Sequence, residues 1–150
     1  DNHITAMTGM QPAITRGDRV DGSKGKAIAL ETIVKGCGIE YLKVVDPFDT
    51  KNMIQTVKDA AKYVNDPDGG IAVIISRHPC VIGFKDEAIP EKIEVNISDD
   101  CNDCGFCRKR FECPALFEDK DKEKTQVNKV LCAECGVCIQ ICPQHAIEKA

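Results

Sequence analysis

The sequence has no apolar run long enough to cross a bilayer, which takes about 20 consecutive apolar residues in a helix. It shows no secretory signal and no basic excess: 20 Lys and Arg stand against 24 Asp and Glu, a net charge of −4 with both signs interspersed. The first lack argues against a membrane protein and the second against an exported one. The third argues against a nucleic-acid partner. An initiator Met is also missing, and the chain is expected to be a fragment of a larger polypeptide. The hydrophobic share of 43% is ordinary for a globular chain, and 150 residues allow one domain or two small ones. Ten cysteines without a secretion signal imply a reducing, cytoplasmic setting and metal ligation.

Eight of those cysteines fall in two runs within 101–143, C-N-D-C-G-F-C-R-K-R-F-E-C-P and C-A-E-C-G-V-C-I-Q-I-C-P. Three cysteines at i, i+3 and i+6, followed by a fourth before proline, form the bacterial ferredoxin pattern for a four-iron cluster. Its occurrence twice predicts two [4Fe–4S] clusters. A tight loop at this spacing can turn three thiolates onto one cube, and in that pattern the fourth ligand comes from the other run. Cys101, Cys104, Cys107 and Cys142 are therefore assigned to one cluster, and Cys132, Cys135, Cys138 and Cys113 to the other. Gly105 and Gly136 are expected where the backbone bends close to a cube. Pro114 and Pro143 are expected to open short helices. Zinc prefers C-x-x-C pairs, to which a third evenly spaced Cys is surplus. A disulfide framework would need a secreted chain. The first run departs from the pattern: Arg108 to Glu112 make its last interval two residues longer than that of the second run.

Upstream, residues 1–12 read as a polar loop. Gly17 and Gly22 have phosphate-loop spacing, but Ser23 stands where Lys is required and no strand precedes it, which excludes a Walker motif. Residues 27–36 read as a helix stopped by Gly36 or Gly38, with Cys37 as a buried small hydrophobe. Residues 41–45 read as a strand, and a helix capped by Asp49 or Thr50 runs to about Asn65. Met53, Ile54, Val57, Ala61 and Val64 are its expected buried stripe. A second strand covers 71–76. Apolar strands without alternation suggest parallel pairing with both faces covered, as at the end of a doubly wound α/β domain. His78 and Cys80 follow the second strand, where α/β folds place ligands, but their expected roles are a solvent-bonded His and a structural Cys. Residues 83–91 read as a linker. Residues 92–97 read as the first ferredoxin strand, and a hairpin is expected around the charged turn 118–124.

The opening D-N-H-I-T-A-M-T-G-M-Q, the α/β segment, R-H-P-C after its last strand and the two-run tail together resemble the C-terminal part of the alpha subunit of indolepyruvate ferredoxin oxidoreductase, a thiamine-diphosphate enzyme. The resemblance covers the whole chain. It implies a fold of two parts: residues 1–82 as the C-terminal portion of a doubly wound thiamine-diphosphate-binding α/β domain, then, after the linker, residues 92–150 as a small α+β domain of the bacterial 2[4Fe–4S] ferredoxin type. It further implies that Asn2 gives a side-chain oxygen, and Ile4 its carbonyl, to a Mg²⁺ ion on the cofactor diphosphate. A hard cation of this kind takes oxygen ligands. Thr5, Thr8 and Gly9 would lie along the cofactor. The upstream residues that complete such a site are not in this sequence.

The implied activity is oxidative decarboxylation of an aryl 2-oxoacid to an acyl-CoA. The electrons would pass through two [4Fe–4S] clusters to an external ferredoxin. The implied partners are the remainder of the alpha subunit, a beta subunit, coenzyme A and the 2-oxoacid, with no nucleic acid and no membrane. No catalytic acid or base is named. Two alternatives stand beside this reading. One is a ferredoxin-type electron-transfer module with an α/β docking domain. The other is an oxidoreductase for another 2-oxoacid, such as pyruvate.

Overall fold

A computed structural model describes every residue of the chain except Ala6, Thr8, Lys120, Lys122 and Glu123. It divides into two compact units, 1–88 and 89–150. Among the described residues no helix is long and apolar enough to cross a membrane.

The first unit begins with two short strands, β1 (Ile4–Thr5) and β2 (Gln11–Pro12), paired antiparallel. The stretch expected as a plain loop is thus a small hairpin. Helix α1 (Leu30–Gly36) starts later than expected, because Ala29 at its N-cap offers no side-chain oxygen to the first amides. It ends at Gly36, and the stop is completed by Gly38, whose φ of 77° is left-handed and whose N–H returns to the Lys35 carbonyl. Cys37 is exposed, not buried. It lies just beyond a helix that buries none of its own residues.

Strands β3 (Tyr41–Val45) and β4 (Ala72–Ser76) pair in parallel, from Tyr41 opposite Ala72 to Val45 opposite Ser76. Helix α2 (Thr50–Val64) makes the crossover between them and packs on both. Asp49 caps it by accepting the Asn52 N–H at 3.1 Å. The face that α2 buries is not the expected one. Thr56 and Ala60 are buried with Met53 and Tyr63 beside them, whereas Ile54, Val57, Ala61 and Val64 are exposed. The helix is turned by about one residue, roughly 100°. Tyr63 stacks on Tyr41 at 4.8 Å between ring centroids, which fixes that rotation, and the small Thr56 and Ala60 side chains let the helix lie close. Coverage of both strand faces is not seen within this unit: Val45 and Ile75 are buried while Val44 is exposed.

The stretch expected as a linker is ordered in part. Helix α3 (Lys85–Ala88) forms there, with the Ala88 N–H returning to the Phe84 carbonyl at 2.8 Å, and Ala88 and Ile89 are both buried.

In the second unit, β5 (Val95–Ile97) pairs antiparallel with β8 (Ile147–Lys149), joining the unit's two ends. Between them come α4 (Phe106–Lys109), the hairpin β6 (Leu116–Asp119) and β7 (Lys124–Val127), and α5 (Val137–Ile141). Pro114 and Pro143 open turns, not helices. The Leu116 N–H bonds the Cys113 carbonyl, and the His145 N–H bonds the Cys142 carbonyl. Strands start at Leu116 and Ile147, which leaves no room for a helical turn. The short helices lie earlier instead, inside each cysteine run. The core joins Val95, Leu116 and Ile147 to Cys107 and Cys138.

Candidate functional site

Each cysteine run is shaped by the same backbone device. Asp103 and Glu134 have φ of 49° and 61°, and Gly105 and Gly136 have 72° and 68°. In each run a left-handed residue therefore stands on both sides of the second cysteine. The glycines were legible in the sequence; the acidic residues, in a region that disfavours side chains, were not. Each glycine caps a short helix that carries the third cysteine, Cys107 on α4 and Cys138 on α5, and both of these are buried. The loops also turn amides toward sulfur. The Glu134 N–H donates to Cys132 Sγ at 3.4 Å, and the Ala146 N–H donates to Cys142 Sγ at 3.3 Å.

Cys101, Cys104 and Cys107 line one cavity together with Cys142 from the other run. Around Cys138 the nearby thiols are Cys135, Cys113 and Cys132. Burial first, and then these neighbours, push the Cys138 thiol up to about 12. Burial likewise raises the Cys107 thiol. Such crowded, desolvated thiols are uncharged until a metal supplies compensating positive charge. Two sets of four sulfurs with amide donors fit the chemistry of iron–sulfur cubes. Among the described residues no three His, Cys, Asp or Glu side chains are placed to hold a single ion. A cube asks for a wider set, since each thiolate binds a different iron.

The first run carries a polar network that sequence reading missed. Arg108 donates from Nε to Thr125 Oγ1 at 3.0 Å, and to Asp103 and Glu118 at 2.7 and 2.6 Å. Thr125 Oγ1 also donates to Asp103 at 3.1 Å and lies 3.8 Å from Cys107 Sγ. The only signal in the sequence was the enlarged loop in which Arg108 stands.

In the first unit, the opening residues are held at the carboxyl end of β4. The His78 N–H donates to the Asp1 carbonyl at 3.2 Å, and the Cys80 N–H donates to that of Asn2 at 3.0 Å. The Asp1 carboxylate accepts from Arg77 Nε at 2.8 Å, Thr15 Oγ1 at 3.0 Å and the His3 N–H at 3.3 Å, and only 3% of its side chain is exposed. Arg77 also grips Glu31 through both terminal nitrogens, at 2.7 and 3.0 Å, and holds that carboxyl down at about 2. Arg77 and Glu31 were not among the sequence candidates; the R-H-P-C run after a strand was the signal for Arg77, and Glu31 had none.

Asn2 and Ile4 share one turn, in which Asn2 Oδ1 accepts the Ile4 N–H at 3.2 Å. His3 between them is left-handed, with φ 64°, and burial lowers its pKa. Thr5 donates its hydroxyl to the Gln11 carbonyl at 3.3 Å. Gly9 lies in the exposed turn between β1 and β2, with φ 121°. Thr8 is outside the described residues. His78 is not the solvent-bonded histidine expected. It stacks on Phe48 at 3.7 Å, its Nδ1 lies 3.0 Å from Asp46, and its Nε2 is buried without a hydrogen-bond partner.

Residues 125–148 match the family model described as 4Fe-4S binding domain. Along its whole length the chain is 38% identical, over 152 residues, to the indolepyruvate oxidoreductase subunit IorA of Archaeoglobus fulgidus. It is 34% identical to the subunit of that name from Pyrococcus horikoshii and 35% to that from Pyrococcus abyssi, with 99% of this chain covered in each case. The match takes in only 23% of each of these three relatives, so the chain spans about a quarter of their length. No solved structure matches. The likeness to this subunit stated from the sequence is borne out, and the chain is of mixed α and β structure with a 4Fe-4S binding domain toward its end.

Proposed function

Taking as the premise the likeness of this whole chain to about a quarter of the indolepyruvate oxidoreductase subunit IorA, we propose that this chain is the part of a 2-oxoacid ferredoxin oxidoreductase that closes its thiamine-diphosphate domain and carries two [4Fe–4S] clusters. The reaction would be oxidative decarboxylation of an aryl 2-oxoacid to its acyl-CoA, with ferredoxin as the final acceptor. The remainder of the alpha subunit and a beta subunit complete the enzyme.

The observation that carries this reading is the presence, in one chain, of two four-cysteine sets and an opening turn anchored at the end of a parallel strand. Cys101, Cys104, Cys107 and Cys142 would hold one cube, and Cys132, Cys135, Cys138 and Cys113 the other. When bound, each cube accepts a single electron. Asn2 Oδ1 and the Ile4 carbonyl would face Mg²⁺ and the cofactor diphosphate. An amide oxygen has two lone pairs, so Asn2 can keep its bond from the Ile4 N–H while it ligates. Arg77 and Thr15 hold Asp1, and with it the turn, in place. Thr5, Thr8 and Gly9 would continue along the cofactor.

The test is Asn2→Leu in the full-length enzyme. Thiamine-diphosphate binding and 2-oxoacid oxidation should be lost, while both clusters and electron transfer from an artificial reductant survive. Asn2→Asp, which keeps an oxygen in place, should retain binding. An electron-transfer module with an α/β docking part predicts no effect of either change. Wild-type turnover of indolepyruvate by Asn2→Leu would remove Asn2 from the site.

A further inference from the structure

We infer that Thr125, held in place by Arg108, is a positioning residue that raises the reduction potential of the cluster on Cys101, Cys104, Cys107 and Cys142 above that of the other cluster. This rests on the two-cluster reading above.

Thr125 is 1% exposed, so water does not compete for its hydroxyl. It lines the cavity of the first cysteine set, and its Oγ1 lies 3.8 Å from Cys107 Sγ. A hydroxyl has one proton and two lone pairs. Arg108 Nε occupies one lone pair at 3.0 Å, and the Arg108 side chain is itself only 11% exposed. While Cys107 is a thiol, it donates to the second lone pair and the hydroxyl proton goes to Asp103 at 3.1 Å. A ligating cysteine is a thiolate and has no proton to give. The interaction between the same two atoms can then run only from the hydroxyl to the sulfur. Asp103 keeps its charged partner, Arg108, at 2.7 Å when the hydroxyl turns away.

Reduction adds one electron to the cube and its thiolates. A hydroxyl donor aimed at a ligating sulfur stabilises the more negative form more than the oxidised one, and Arg108, whose charge is neutralised by Asp103 and Glu118, serves to orient that hydroxyl. The potential of that cluster therefore rises. The second run is built differently: the residue after its third cysteine is Ile139, where the first run has Arg108. An isoleucine side chain has no donor with which to hold a hydroxyl in place. The two cubes would share a loop geometry and differ in their electrostatics.

The experiment is an anaerobic, EPR-monitored redox titration of the full-length enzyme. The signal lost in Cys104→Ala identifies the first cluster. That cluster should have the more positive midpoint in the wild type. Thr125→Val should shift it to lower potential at unchanged iron content, leave the other midpoint where it was, and be rescued by Thr125→Ser. A loaded Thr125→Val protein with both midpoints at wild-type values would overturn the inference, as would a first cluster with the lower midpoint in the wild type. Should Thr125→Val not load its cluster, Thr125→Ala decides, since it removes the hydroxyl without changing charge: a downward shift of the same midpoint supports the inference, and an unmoved midpoint overturns it. A wild-type protein with no signal sensitive to Cys104→Ala overturns the cluster reading itself and the inference with it.

Discussion

A Cβ placed on Gly136 would lie 2.9 Å from Cδ1 of Ile93 and 3.1 Å from its Cβ. The crowding at this glycine therefore comes from a strand-entry residue of the same unit. Ile93 is tied there by its N–H bond to the Glu134 carbonyl at 2.7 Å. At Gly105, by contrast, the nearest atoms are the flexible end of Lys109, at 3.3 Å. Both glycines are left-handed, which costs any other residue about 1–2 kcal/mol. Gly136→Ala adds an overpacking cost of about 1–3 kcal/mol. Gly136→Ala should thus lower the denaturant midpoint of the cluster-bearing unit more than Gly105→Ala, and should lose iron first. Equal effects in anaerobic unfolding and iron analysis would show that Ile93 yields freely.

Crossed ligation predicts the outcome of Cys113→Ala. The variant should damage the cluster of Cys132, Cys135 and Cys138, and spare the one whose first three ligands precede Cys113 in the chain. The spatial grouping of Cys113 with Cys138 is the reason. Wild-type protein should hold about eight irons and eight sulfides, following the ferredoxin pattern. Cluster-resolved EPR that shows loss of the Cys101-side signal instead would refute the arrangement.

Iron removal should act on one unit. Cys107 and Cys138 belong to the core with Val95, Leu116 and Ile147, and metal binding is folding free energy for such small domains. Anaerobic chelation should speed amide exchange throughout α4 and α5 and leave α2 protected. Hydrogen exchange read by mass spectrometry would show this, and unchanged protection of α5 in the apo-protein would count against it.

The Glu31–Arg77 pair predicts an acid response. Arg77 depresses the Glu31 carboxyl from 4.5 to about 2. A lowered carboxyl pKa contributes stability above the unfolded value, and that contribution is lost as protons bind the folded state. The loss should run from about pH 4.5 down to about pH 2 in the wild type and be absent in Glu31→Gln. Hydrogen exchange of α1 and α2, read by mass spectrometry during urea unfolding at each pH, follows the first unit selectively. Parallel pH profiles for the two proteins would remove this pair from the acid response.

The sequence alone determined the features that depend on near neighbours. The C-x-x-C-x-x-C spacing, the Asp49 cap and the glycine stop of α1 are all local, because covalent geometry and one turn of hydrogen bonding decide them; the strand 41–45 was legible from its short apolar run, although its partner lies 31 residues on. Tertiary structure alone decided which face of α2 is buried. Ile54, Val57, Ala61 and Val64 repeat at the same helical spacing as Met53, Thr56, Ala60 and Tyr63, so periodicity could not choose between the faces. The stack of Tyr63 on Tyr41, 22 residues apart, made the choice. Arg77 meets Asp1 across 76 residues, and Arg108 meets Thr125 across 17. Such pairings depend on how the chain returns on itself, and no local pattern encodes them. Most buried polar groups find partners wherever the fold brings them, and Asp1 and Thr125, one beside each candidate site, find theirs in arginines that lie far from them in the chain.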